Sequence, residues 1–103
     1  MITKFKIFEN SREPQIGDYA VCEYEDDNYN RQIHNKIGVI TYKNDKNDQT
    51  FYTVKYDFKL YDDTEDALPG TDELDWIYEE EILFFSKNKQ DCETFLEANK
   101  YNL

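Results

Sequence analysis

The clearest pattern along the chain lies between residues 51 and 61, where apolar and polar positions alternate almost without a break. Tyr52, Val54, Tyr56, Phe58 and Leu60 share one parity, and Thr53, Lys55, Asp57 and Lys59 the other. Successive side chains of a strand point to opposite faces, so this segment predicts a half-buried antiparallel strand. Weaker alternation predicts further strands. Residues 2–8 set Phe5 and Ile7 against Lys4 and Lys6, residues 19–24 align Ala20, Cys22 and Tyr24, and residues 37–43 form a third apolar run. Residues 76–85 hold one or two short strands, ending in Ile82-Leu83-Phe84-Phe85. That last stretch is apolar on both faces, so something must cover the second one.

The connections are polar. Pro14 sits in the first, residues 25–36 are Asn-rich and read as a long loop, and residues 44–49 read as a hairpin-like turn. Residues 62–75 read as an acidic loop broken at Pro69-Gly70. After Phe85 the period changes. Ser86 is placed to cap a helix running to about Asn99, with Cys92, Phe95 and Leu96 at i, i+3, i+4 spacing. A helix this short needs packing to persist, and the doubly apolar strand is its natural floor. The prediction is a mainly β, α+β single domain in the order β-β-β-β-β-α. Residues 1–85 form the β unit and residues 86–100 the helix packed on it.

Composition supports a folded β-rich chain. Its 103 residues suit one domain, and nine Tyr, seven Phe and one Trp argue against disorder while favouring pleated surfaces. The two cysteines, Cys22 and Cys92, show no metal-type spacing. With no leader-like N-terminal segment and no apolar run of membrane-crossing length, the expected location is the cytoplasm, with both thiols reduced.

Gly17-Asp18-Tyr19-Ala20-Val21-Cys22, Ile37-Gly38-Val39-Ile40, Tyr52-Thr53-Val54-Lys55-Tyr56 and Glu81-Ile82-Leu83-Phe84-Phe85 together resemble the strand grammar of small SH3-like barrels of the KOW and Tudor type. In such barrels a Gly-Asp turn leads the first strand and an x-Gly-x-Ile unit begins the next. A Val-x-Tyr/Phe strand follows, and a short acidic turn precedes the last. The resemblance covers residues 16–85 and implies a five-stranded barrel that binds rather than catalyses. KOW members meet RNA or ribosomal proteins through a basic surface that this chain lacks. Tudor members cage methylated side chains, and Tyr19, Tyr24, Tyr42 and Trp76 are the residues that would supply a cage here. The compact, acidic, Lys/Asn/Tyr/Ile-rich style also resembles small phage proteins.

Candidate chemistry is sparse. The sole histidine, His34, sits in a polar segment without a partnering nucleophile, so no catalytic constellation is read and the chain is expected not to be an enzyme. Metal-ligand spacings are missing, the oxygen-rich run Asp62–Asp66 lacks EF-hand order, and three glycines leave no phosphate-cradling loop. No metal and no cofactor is predicted.

Charge is the exception. The chain carries 23 acidic and 12 basic residues, a formal −11, which argues against direct binding to nucleic acid or anionic membranes. Asp57, Asp62, Asp63, Glu65, Asp66, Asp72, Glu73, Asp75, Glu79, Glu80 and Glu81 fall within one quarter of the chain, opposed only by Lys59. Eleven carboxylates and one lysine make that quarter −10, and Trp76 and Tyr78 lie inside it as apolar anchors. Carboxylates two apart on a strand recur at ~6.6 Å, a scale similar to that of backbone phosphates. These residues are therefore the expected partner-binding set, facing the basic surface of a nucleic-acid-binding or defence protein. The expected role is an inhibitor encoded by a phage or mobile element. The alternative is an SH3-like adaptor that grips a protein partner through an aromatic groove. A nucleotide sponge would need Arg31, Lys36 and Lys43 gathered in one pocket. Repulsion between acidic faces would leave the N-terminal strand or the helix for any self-association.

Overall fold

The computed structural model describes residues 13–61 and 70–100. Within them five strands form one antiparallel sheet: β1 (Tyr19–Cys22), β2 (Gly38–Lys46), β3 (Gln49–Leu60), β4 (Thr71–Tyr78) and β5 (Ile82–Ser86). Their order is β4-β3-β2-β1-β5, so β4 and β5 are the edges, and no pairing joins them among the described residues. The strand expected at residues 2–8 lies outside the described residues.

The best sequence pattern gives the best strand. Tyr52, Val54, Tyr56 and Leu60 of β3 are all buried, while Lys55, Asp57 and Lys59 on the other parity are exposed. β2 and β3 meet in a two-residue turn. Lys46 pairs with Gln49, and the intervening Asn47 and Asp48 have φ of 52° and 66°. Two successive positive φ values define a type I′ turn, whose twist matches that of the flanking strands. This hairpin extends β2 three residues beyond the expected end.

Residues 71–75, expected as acidic loop, instead begin β4, with Leu74 paired to Val54 and Glu73 to Lys55. Their alternation is hidden because the buried positions, Leu74 and Ile77, are three apart rather than two. A bulge at Asp75-Trp76 takes up the extra residue.

The Asn-rich segment holds a helix, α1 (Asp27–Ile33), where a loop was expected. Asparagine is a poor helix former, which masks the element in the sequence. The Asp26 carboxylate caps it by accepting from the Asn28 and Tyr29 amides at 2.9 and 3.3 Å, and burial of Ile33 holds it down. Its amide side chains latch the end of β3. Asn28 Nδ2 and Gln32 Nε2 each donate to the Tyr61 carbonyl at 2.8 Å, and the Tyr61 amide donates to Gln32 Oε1 at 2.9 Å.

The C-terminal helix is α2 (Lys89–Asn99), and it starts later than expected. Ser86 does not cap it but ends β5; its hydroxyl donates to Asp91 Oδ2 at 2.6 Å and accepts from the Asn88 amide at 3.1 Å. The predicted stripe packs as read. Cys92 and Phe95 join Val21 and Phe84 in a buried cluster flanked by Tyr19, Ile37 and Leu96, and the Phe84 and Phe95 rings stack at 4.9 Å.

Two cores result, one on each face of β1 and β5. The larger unites Ala20, Cys22, Ile40, Val54, Tyr56, Leu74, Ile77, Ile82 and Phe85, so residues from both sheet edges share one cluster and the sheet must curl around it. Gly38 sits at the tightest approach: a Cβ there would lie 2.4 Å from Val54 Cγ1 and 3.0 Å from the Lys55 carbonyl. Gly17, at φ 96°, makes the turn into β1, with the Asp18 amide donating to the Gln15 carbonyl at 3.0 Å. The curl turns one sheet face inward and leaves the opposite face of β2, β3 and β4 outside.

Candidate binding surface

Thr53 marks the centre of that outer face. β2 slips register between Ile40 and Tyr42, and β4 places both Asp75 and Trp76 against Thr53. The middle strand is thus met by an irregularity on each side at one residue. Bulges re-aim side chains, and here they do so from both neighbours at once. The Thr53 hydroxyl donates to Asp75 Oδ1 at 2.8 Å, and the Thr41 hydroxyl donates to the Thr53 carbonyl at 3.4 Å.

Cross-strand pairs fix who shares the face. Tyr42 lies opposite Thr53, and Asn44 and Tyr78 lie opposite Phe51. Trp76 stands at φ 64°, a left-handed conformation that costs a bulky L-residue on the order of 1–2 kcal/mol. Despite that cost the residue is 57% exposed, as is Tyr42. The Phe51 ring holds it edge-on at 5.1 Å and contacts Tyr78 at 5.0 Å. Between them opens a pocket of about 230 Å³ lined by Tyr42, Asn44, Phe51, Tyr52, Thr53, Asp75 and Trp76.

The surroundings are acidic. Asp75 anchors the site at two atoms, since its carbonyl accepts from the Tyr24 hydroxyl at 3.0 Å while its carboxylate accepts a hydrogen bond from the Thr53 hydroxyl at 2.8 Å. Burial first, then Glu81, Asp75, Asp26 and Glu25, raise the pKa of Tyr24 above its usual value. Carboxylates from the approach to α1 therefore converge on the same region as those of β4. Residues 23–27 were outside the expected acidic set; they are far away in sequence and join it only through the curl. Glu81 is partly buried, its Oε1 accepting from the Tyr78 amide at 2.9 Å. Desolvation raises its pKa, the Tyr78 amide opposes the shift, and nearby Glu25, Glu23 and Glu80 add to it.

The expected binding residues separate in the fold. Asp75, Trp76 and Tyr78 come together around the pocket with Glu73 beside them on β4. Asp72 is drawn towards Lys55, with 3.9 Å between Oδ2 and Nζ in a partly exposed pair of little energetic weight. Glu79, Glu80 and Glu81 form a single 3-10 turn between β4 and β5, and Asp57 is exposed on β3. Asp62, Asp63, Glu65 and Asp66 lie outside the described residues. Of the four aromatics considered for a cage, Tyr42 and Trp76 meet at the pocket. Tyr19 packs at the α2 cluster, and Tyr24 packs edge-on against Tyr29 at 6.1 Å. Phe51 is the wall that sequence reasoning missed. It had one legible sign, being the aromatic residue on the otherwise polar parity of β3.

Other groups are quiet. His34 is exposed at the end of α1, and no cluster of His, Cys, Asp and Glu fit for a metal ion occurs among the described residues. Cys22 and Tyr56 adjoin in the core, and burial pushes both their pKa values up, so Cys22 stays a neutral thiol and a poor nucleophile. Among the described residues no helix is long and apolar enough to cross a membrane. Comparison with protein-family models, curated proteins and solved structures yields no match.

Proposed function

We propose that this chain is a non-catalytic binding protein that docks an acidic face, with Trp76 at its centre, onto the basic surface of a partner protein. Trp76 is the chief support. A large apolar ring is held exposed in a strained backbone conformation, inside a strand that carries Asp72, Glu73 and Asp75. Strain of this kind persists where the surrounding structure over-determines it, and it concentrates at ligand clamps. Exposed tryptophans beside charged rims are the usual anchors of protein interfaces.

The partner that fits best is a nucleic-acid-handling or defence protein, whose basic channel an array of carboxylates would occupy in place of phosphates. An inhibitor encoded by a phage or mobile element and acting in the cytoplasm is the biological form of this reading. The SH3-like barrel remains the finer proposal for the fold. It is supported by the Gly17-Asp18 lead into β1, Gly38 at the start of β2 and the acidic 3-10 turn before β5. A second reading, an adaptor gripping its partner chiefly through apolar contact, is favoured by the aromatic walls of the pocket.

Affinity capture from a lysate of the encoding organism, at low and high salt, separates the two. On the acidic-face reading the captured protein is basic, is released as salt rises, and is lost when Glu73, Glu79 and Glu80 are changed to Gln. Retention after those changes, with loss only on replacing Trp76, would sink the acidic-face reading in favour of the adaptor.

A further inference from the structure

We infer that the pocket between Tyr42, Phe51 and Trp76 is a receptor for the guanidinium group of one arginine side chain, with Asp75 as its counter-charge. The inference deepens the proposed docking function and rests on it for the identity of the ligand's bearer, a basic protein.

Size sets the class of occupant. Pockets that enclose whole small molecules run to ~300–1,000 Å³, and this one, at about 230 Å³, suits the end of a single long side chain. The walls set its chemistry. Tyr42, Phe51 and Trp76 supply aromatic surface, and the negative faces of such rings attract cations and stack on planar ones. The polar groups in the lining include the Asp75 carboxylate and the Asn44 amide. Asp75 is oriented in advance by the Thr53 hydroxyl on Oδ1, and no lysine or arginine pairs with it among the described residues. Glu73, two residues before Asp75 on the same strand, lies opposite Lys55 in the sheet.

Arginine uses all of this at once. Its planar fork stacks on an aromatic ring while donating paired hydrogen bonds to a carboxylate, and it sheds water more readily than an ammonium. Lysine would bring one compact, strongly hydrated charge. A quaternary ammonium has no proton to donate to Asp75 or Asn44. An apolar side chain would cover the carboxylate while leaving its charge and Oδ2 unmatched, with only the Thr53 hydroxyl on Oδ1, which is costly.

The sole tryptophan makes the test direct, because emission from Trp76 reports on the pocket alone. The intact protein is titrated with a glycine-flanked peptide carrying one arginine, and with the same peptide carrying citrulline, lysine or trimethyl-lysine. Expected is a saturable change with arginine, weakened roughly tenfold or more with citrulline, the uncharged isostere, and with lysine. The Asp75→Asn variant keeps an acceptor for Thr53 and should bind the arginine peptide roughly tenfold more weakly. Trp76→Gly, which suits a positive φ and so keeps the fold, should abolish binding followed by NMR shifts of Thr53 and Asn44. Tighter binding of trimethyl-lysine, equal binding of citrulline, or unchanged binding by Asp75→Asn would each overturn the assignment. These outcomes stand apart from those of the capture experiment. Salt-sensitive capture with no peptide response rejects the pocket alone, whereas an arginine response with salt-insensitive capture rejects the acidic face alone.

Discussion

Thr53 and Asp75 are joined by a 2.8 Å hydrogen bond at the one position where β3 faces irregular pairing on both sides. The bond ties the carboxylate to the sheet just before the backbone enters its left-handed turn at Trp76. One short side chain thereby fixes the direction of the acid that precedes the exposed Trp76.

Replacing Thr53 by Val keeps the β-branched shape and removes the donor. A loss of about 1 kcal/mol is expected in urea unfolding, with Thr53→Ser close to wild type. In a cycle with Asp75→Ala the two losses should fail to add. Additive losses would mean that the bond contributes nothing.

Trp76→Gly and Trp76→Ala both delete the indole and its contact with Phe51, but only alanine retains a Cβ at positive φ. The glycine variant should therefore be the more stable of the two by about 1 kcal/mol. Equal unfolding midpoints would show that the backbone at residue 76 relaxes once the ring is gone.

Gly38→Ala places a methyl group against the Val54 side chain and the Lys55 carbonyl, and a paired backbone has little room to yield. A destabilisation of about 1–3 kcal/mol is expected from thermal unfolding. The double variant with Val54→Ala should not recover it fully, because the carbonyl contact stays.

Glu81 has a folded-state pKa raised above its unfolded value, chiefly by burial. The folded state thus holds this proton more tightly, so the contribution favours folding below the ordinary carboxylate range and fades as pH rises through the raised value. Glu81→Gln keeps an acceptor for the Tyr78 amide and removes the titration. Its melting temperature should decline less than that of wild type over that pH window. Parallel curves for the two proteins would rule the effect out.

Much of the fold is legible in one dimension because alternation is a local consequence of how a strand presents its side chains. β3 and its buried face follow from parity alone, and so does the need for a helix over Phe84. The acidic stretch and the lone tryptophan within it are likewise plain in the residues. What local pattern cannot show is where that pattern is interrupted for a tertiary reason. The bulge at Asp75-Trp76 breaks the parity of β4, so a strand looks like a loop. Burial of Ile33 and the hydrogen bonds to Tyr61 hold a helix that asparagine propensity disfavours.

The site follows the same division. The sequence by itself determined a charged, aromatic, β-rich chain and put Asp75, Trp76 and Tyr78 together, since they are neighbours. Only the tertiary structure decided that Tyr42 and Phe51, brought level by the β2–β3 turn, stand across from them. It also decided that Glu25 and Asp26 lend their charge to the same region. The physical reason is the curl of the sheet around one core, which converts separations along the chain into contacts that no local periodicity encodes.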